Sequence, residues 1–291
     1  MADGDSDRSS PPSGNWVGTL ATFVAPTTFI GALLLYFGFA YTAALYGYFG
    51  VDVATLGFST QDYVLRSAGA LYVPAGVALT VTLAGVLVYY AVRYMGARSA
   101  LPARGIRLFP YAVSVCGVCL FLLGMLGGSG VWPAGAMDTP LLLGGGLVLG
   151  MYGRVLFFAL VDANYPVARE RLALTVVGAL VALSSFWATH AYAKGHGYSD
   201  AKYLAHRLWL RPGVTLDTTD RLHFSDERVR ETAFPVAEPR QRFRFRYEGL
   251  RLLAEANGRM FIIPESWEPT SGSVLVIPAD STVRVTFSSG Y

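Results

Sequence analysis

The stretch Tyr48–Ser67, YFGVDVATLGFSTQDYVLRS, interrupts an apolar sequence that runs almost unbroken from Leu20. Asp, Gly, Thr, Gln and Arg occupy it, and the chain turns apolar again from Leu71. A chain that leaves an apolar medium briefly and then returns to it reads as one that crosses a bilayer, bends at the surface and crosses again. Asp52 can cap a single helical turn, and Gly57 can end that turn because glycine tolerates the left-handed conformation. Ser59 with Asp62 reads as a capping box that starts the next helix, on which Asp62 and Arg66 stand i, i+4. Pro74 falls about four turns later, where proline kinks or restarts a helix. Residues 60–70 are therefore expected at the headgroup level. Tyr46, Tyr48, Phe49, Phe58, Tyr63 and Tyr72 are expected to form an interfacial aromatic belt around them. A re-entrant, ligand-binding loop is the competing reading.

The composition agrees with a membrane protein. Of 291 residues 53% are hydrophobic and 15% charged, with a mean hydropathy of +0.41, whereas soluble chains carry about 25% charged residues. Residues 17–193 hold thirteen charges and the last 97 residues hold twenty-five, which implies a membrane part and a water-facing part. The net charge of +3 gives no argument for nucleic acid. Only two of the 23 basic residues are lysines, Lys194 and Lys202, a bias that suggests a high-GC genome. Both cysteines, Cys116 and Cys119, lie in an apolar run, so the water-facing part carries no disulfide. Residues 1–16 are polar and acidic, and no secretory signal peptide is evident.

A helix needs about 20 apolar residues to cross the roughly 30 Å hydrocarbon core. Segments near 20–47, 71–92, 108–127, 141–161 and 172–192 qualify, and inside lipid they must be helical to satisfy their own backbone. Arg93, Arg98, Arg104 and Arg107 follow the second span, and Arg169 and Arg171 follow the fourth. Only Arg66 follows the first, and 128–140 has no basic residue. With Arg8 in the tail, the positive-inside rule puts the N-terminus in the cytoplasm and the C-terminal part outside, at a plasma membrane. The expected organisation is a disordered cytoplasmic tail (1–16), a five-helix transmembrane domain (17–194) and an extracytoplasmic α+β domain (195–291). Gly124 with Gly128, and Gly146 with Gly150, form GxxxG pairs that allow close helix packing, within the chain or in a homo-oligomer.

Candidates for chemistry are few. Cys116-Gly-Val-Cys119 resembles a redox CxxC in spacing, but apolar neighbours raise a thiol pKa and no second cysteine pair exists to relay electrons; two small packing residues are the simpler reading. Arg154 is an intramembrane charge, a substrate-anion or ion-path candidate that can also snorkel to the headgroups. His190 and His196 flank the outer end of the fifth span and, with Asp52, Asp62 and Arg66, make a thin outer-interface cluster. Neither these nor His206 and His223 match a zinc signature, and Asp226-Glu227 reads as solvated loop. No nucleophile elbow, P-loop or dinucleotide fingerprint is present. No catalytic residue, metal site or cofactor is expected.

Beyond Gly195, YSDAKYLAHRLWLRPG reads as a short helix capped by Ser199 and ended by Pro212-Gly213. Strand-like runs follow at 214–217, 221–224, 241–247, 249–256, 259–263, 273–277 and 282–287, giving a mainly antiparallel sheet. Asn257-Gly258 is a type I′ hairpin signal and Ala279–Ser281 suits a second turn. In RQRFRFRYE, a period of two puts Arg240, Arg242, Arg244 and Arg246 on one face and Phe243, Phe245 and Tyr247 on the core face. The arginines are either solvated and paired with Glu238, Glu248 and Glu255, or they form a site for anionic lipid headgroups or an anionic envelope polymer.

The stretches YGYFGVDVATLGFSTQDYVLRS (Tyr46–Ser67), LRPGVTLDTTDRLHF (Leu210–Phe224) and YEGLRLLAEANGRMFIIPESW (Tyr247–Trp267) resemble a group of uncharacterised multi-pass membrane proteins of Streptomyces-type actinobacteria. The resemblance covers the chain from about residue 36 onward. It implies an actinobacterial membrane origin and carries no activity or catalytic residue. The functional expectation is a non-enzymatic integral membrane protein whose surface domain binds or senses something at the cell envelope. A transporter or channel component is the alternative, and an enzyme acting on lipid-linked substrates a further one. A transporter is expected to show an internal repeat or paired broken helices, and neither is legible.

Overall fold

The computed structural model describes residues 15–97, 103–160, 167–224, 228–235 and 242–289. The 1–14 segment with Arg8, and Arg98, Asp226-Glu227, Glu238 and Arg240, lie outside the described residues. Six helices come first: α1 (Asn15–Gly47), α2 (Val53–Leu56), α3 (Thr60–Ala97), α4 (Ala103–Gly128), α5 (Asp138–Leu160) and α6 (Val167–Ala205). All except α2 contain a stretch long and apolar enough to cross a membrane, which makes five candidate spans. Leu79, Leu83, Val118 and Leu183 are among the many large apolar side chains left exposed along α3, α4 and α6. A bilayer covers such a surface at no cost.

The helices form two groups joined mainly through α6, and also where Tyr152 of α5 donates to the Gly85 carbonyl of α3 at 2.9 Å. In one group α1 packs against both α3 and α6; in the other α4 packs along α5, which in turn meets α6. Small residues set the separations. A Cβ on Gly38 of α1 would lie 1.9 Å from the Tyr63 carbonyl oxygen of α3, and one on Gly197 of α6 would lie 2.4 Å from the Tyr41 carbonyl oxygen of α1. Between α4 and α5, a Cβ on Gly117 would meet the backbone of Gly146 and Gly150, and one on Gly146 would meet Phe121. Gly124 abuts Leu143, and Gly128 is in ordinary contact with Thr139. The predicted glycine pairs thus lie against their own chain.

Two expectations about helix ends need correction. The chain near residue 195 does not break and restart with a Ser199 cap, because α6 runs continuously to Ala205. Ser199 Oγ donates back to the Gly195 carbonyl, as serines inside helices do. Similarly, α3 does not restart at Pro74, which lies inside one helix from Thr60 to Ala97. At 38 and 39 residues, α3 and α6 are about 57 and 58 Å long, nearly twice the hydrocarbon thickness.

After a 3-10 turn (Leu208–Leu210) come β1 (Gly213–Thr218), β2 (Arg230–Ala233), β3 (Phe245–Ala256), β4 (Arg259–Pro264), β5 (Leu275–Pro278) and β6 (Val283–Ser288). The sheet order is β5-β4-β3-β1-β6, all antiparallel, and β2 adds to the β4 side of β3 at that strand's N-terminal half. The two runs expected at 241–247 and 249–256 are one strand that starts at Phe245 and passes through Gly249 at φ +83. Residues 221–224 form no strand, and β2 was not legible because its four residues are all exposed. Asn257 and Gly258, at φ 48 and 66, make the I′ turn between β3 and β4.

The opening stretch is where the sheet meets the helices. Tyr46, Phe49, Val51, Val53 and Leu56 share one buried cluster with Ala201, Leu208, Leu253, Phe261, Ile263 and Trp267. Leu56 and Phe261 are fully buried, and Tyr46 and Phe49 are each 2% exposed. The expected aromatic belt is thus corrected: Tyr72 faces outward, but Tyr46 and Phe49 belong to a core shared with the sheet. A Cβ on Gly57 would approach the Asn257 side chain to 3.1 Å, so the tip of the β3–β4 hairpin rests on the end of α2.

Candidate functional site

The outer-interface residues occupy several separate places. Asp52 caps α2 by accepting from the Ala54 N–H at 3.0 Å. Asp62 accepts from the Ser59 N–H and hydroxyl at 2.9 and 2.7 Å, and Ser59 Oγ accepts from the Asp62 N–H, which completes the capping box. One turn on, Arg66 lays its guanidinium 4.4 Å from the Phe58 ring centroid and donates to Tyr46 Oη at 3.2 Å. These three groups hold the opening stretch in shape.

The histidines belong to the α1–α6 seam. His190 Nδ1 and Tyr36 Oη share a hydrogen bond of 3.1 Å, beside Phe186. His196 stacks on Tyr192 and sits 3.6 Å from Asp200, whose carboxylate accepts from Tyr41 Oη at 2.8 Å. Tyr41–Asp200–His196 is thus a three-membered polar network in which each carboxylate and hydroxyl has a partner. The i, i+4 spacing of His196 and Asp200 was visible in the sequence. Tyr41 was not, because it arrives from a helix 159 residues away. Among the described residues no group of three His, Cys, Asp or Glu could hold a metal ion.

A second constellation lies on the sheet. Asp217 of β1 is directly opposite Arg246 of β3 on one side and Arg284 of β6 on the other. Arg246 donates to both Asp217 oxygens, at 2.8 and 3.1 Å, and Arg284 Nε donates to Oδ2 at 2.9 Å. The Asp217 side chain is 1% exposed, those of Arg246 and Arg284 35% and 55%. The Arg246 hydrogen bond, followed by that from Arg284, holds the Asp217 carboxyl below the ordinary carboxylate range against the opposing effect of burial. Asp217 in turn raises the pKa of Arg246.

This arrangement modifies the arginine strand read from the sequence. Arg246 is paired with a buried acid, and Arg242 and Arg244 precede the strand and are exposed. The Arg244 N–H still donates to the Thr218 carbonyl at 2.9 Å. Phe243 is no core residue: its ring carries Arg284 at 5.0 Å and Arg242 at 6.0 Å. Phe245 and Tyr247 do pack into the second sheet core with Leu216, Leu250 and Ile262. The result is a pair of arginines, Arg246 and Arg284, on one buried carboxylate, with Arg242 on the same Phe243 ring as Arg284 and within the field of Asp280, and Arg244 exposed two residues before Arg246. Arg284 was missed because the alternation VRVTF promises only one more exposed cation.

Within the helices, Arg154 of α5 is exposed with its guanidinium 5.6 Å from the Phe158 ring centroid. It borders a cleft of about 590 Å³ among α4, α5 and α6, lined by Gly117, Gly146, Met151 and Val177. Cys116 and Cys119 are free and exposed on α4, while Gly117 between them faces α5. Comparison with protein-family models, with curated proteins and with solved structures finds no match to this chain.

Proposed function

We propose that this chain is a non-enzymatic integral membrane protein that holds a small sheet domain at the extracytoplasmic surface for binding or sensing at the cell envelope. The observation that carries this reading is the shared core. Tyr46, Phe49 and Leu56 from the helical part and Phe261, Ile263 and Trp267 from the sheet are buried together, and α6 enters that core through Ala201. A domain on a loop tether reorients freely. One fused to a continuous helix and packed against α1 and α2 presents its surface in one orientation and shifts those helices when it is loaded.

The orientation rests on the arginine distribution in the sequence: Arg93, Arg98, Arg104 and Arg107 follow the second span and Arg169 and Arg171 the fourth, and the positive-inside rule assigns those connections to the cytoplasm. The ligand class is anionic. Arg246 and Arg284 share the buried Asp217, and Asp280 and Glu248 stand near Arg242 and Arg246, while Arg242 and Arg244 remain exposed forks suited to phosphate. Arg246 is ten residues along β3 from Ala256. At about 3.3 Å per residue, the patch is about 30 Å from the hairpin tip that touches α2. This distance favours an envelope polymer over headgroups beside that contact, because charges in 0.15 M salt are screened over about 8 Å.

The test uses the full chain in neutral-lipid nanodiscs, since a severed sheet domain would expose Phe261, Ile263 and Trp267. Polyphosphate serves as the probe. Binding that weakens steeply with salt, and that is largely lost when Arg242 and Arg244 are both changed to Gln, is the expected result. Equal, salt-insensitive uptake by both proteins would mean that the arginine face is ordinary solvated surface.

A further inference from the structure

Apart from the sheet, the seam between α1 and α6 opens into a notch of about 630 Å³ at the end of the spans nearest the sheet. Its floor is made of small residues, Ala43, Ala44 and Gly47 of α1 and Ala191 and Gly195 of α6. Its walls are aromatic. Tyr48 and Tyr198 meet edge to face at 5.3 Å, and Trp187 and His190 complete the aromatic lining. Lys194 is the cation of the notch. It is exposed, and among the described residues it makes no ion pair and no carboxylate lines the notch. The nearby acid on the same helix, Asp200, is held by Tyr41 and His196.

Position along the helix fixes the level. Lys194 is 23 residues beyond Arg171, about 35 Å of helix, against a hydrocarbon core of about 30 Å. With Arg171 at one headgroup layer, Lys194 lies at the other, beside tyrosines and a tryptophan of the kind that favour that layer. The only other lysine in the chain, Lys202, stands two turns further out on a neighbouring line of the helix, its Nζ 4.7 Å from the Tyr198 ring centroid. An arginine-rich chain thus places both of its compact ammonium groups along this edge.

We propose that the α1–α6 notch holds the headgroup of an anionic phospholipid from the leaflet on the sheet-bearing side, with Lys194 as the counter-ion of its phosphate. A small-residue floor admits the glycerol and phosphate between the helices, where a larger side chain would fill the space. The aromatic walls lie along the upper acyl carbons, and Lys202 attracts a second negative charge. The site depends on membrane insertion but not on the arginine patch, so the polyphosphate test and this one fail independently.

The full chain is delipidated in neutral detergent, and its thermal midpoint is followed as phosphatidylglycerol, phosphatidylcholine or glycerol phosphate is added. Phosphatidylglycerol is expected to stabilise the protein at several-fold lower concentration than phosphatidylcholine, and soluble glycerol phosphate is expected to do nothing. Lys194→Gln should weaken the phosphatidylglycerol effect by about fivefold, about 1 kcal/mol for one near-surface cation. Lys194→Arg should retain most of it. Gly195→Leu fills the notch while keeping the lysine, and a Cβ there meets nothing within 4 Å, so the fold should survive; it should also lose the preference. Equal stabilisation by the two lipids overturns the proposal, as does a preference that persists in both Lys194→Gln and Gly195→Leu.

Discussion

Asp217 shows how much one residue decides on the sheet. Its carboxylate is buried between two arginines from neighbouring strands, and its folded pKa is depressed. A depressed carboxyl contributes stability above its unfolded pKa of about 3.9 and loses it as pH falls through the lower folded value. Thermal midpoints measured from neutral pH down to about pH 3 should therefore fall at the acid end in the wild type. Asp217→Asn should be less stable at neutral pH and should lack that part of the acid loss. Removing one partner of a buried pair costs about 3–5 kcal/mol, but both arginines can rehydrate, so about 1–3 kcal/mol is expected here. An unchanged acid profile in Asp217→Asn would mean that the pair is not what titrates. At this scale the sequence was a partial guide. The alternation in RQRFRFRYE holds only from Phe245 on, where Phe245 and Tyr247 pack inward and Arg246 lies on the other face; Arg242 and Arg244 precede the strand. Which arginine met an acid depended on strand order and register, and Asp217 and Arg284 lie 67 residues apart.

Helix lengths and the contacts between helices are the next level. The five long apolar helices were legible because runs of about 20 apolar residues leave a backbone in lipid no other way to satisfy itself, and the hairpin at Asn257-Gly258 was legible because a I′ turn demands positive φ. The continuity of α6 was not, since Gly195, Gly197 and Ser199 look like a break to any local reading. Packing overrides that reading: Gly197 is what lets α6 approach Tyr41, and Ala201 is fully buried under the sheet. Proline at Ser199 should cost about 3 kcal/mol as an interior helix breaker, whereas Ser199→Ala should be near neutral. Limited proteolysis near residues 195–212, with amide exchange at Phe261–Ile263, reads the loss of the sheet's seat on the helices. Unchanged protection in Ser199→Pro would mean that the core at Tyr46 and Phe49 suffices without α6. A companion pair tests the α1–α3 crossing. Gly38→Ala drives a methyl against the Tyr63 carbonyl, while Gly31→Ala meets nothing within 4 Å. The first should sharply reduce the yield of folded protein and the second should not, since a backbone clash cannot be relieved by a rotamer change.

Over the whole molecule, sidedness is the property that gives every surface its meaning. Ala136, from the connection between α4 and α5, lines the same notch as Tyr48 and Tyr198, so that connection and the sheet share one side of the helices. Ser129 follows α4 at that side, and Ser271 lies in the turn between β4 and β5. Single cysteines at these two positions should therefore behave alike toward a membrane-impermeant thiol reagent, and one at Ser99 should behave oppositely. On the orientation proposed from the arginine distribution, Ser129→Cys and Ser271→Cys should label in intact cells, and Ser99→Cys should label only after lysis. The background needed is Cys116→Ala with Cys119→Ala, two free and exposed positions on α4. Their loss should change stability by no more than about 0.5 kcal/mol. A loss of function at normal expression in that background would instead revive a redox role for the pair. If Ser99→Cys labels and both other positions are protected, the chain is inverted and the arginine patch faces cytoplasmic polyanions. If Ser129→Cys and Ser271→Cys differ from each other, the odd number of crossings is wrong, and the sheet cannot rest on the end of α1 that the shared core requires.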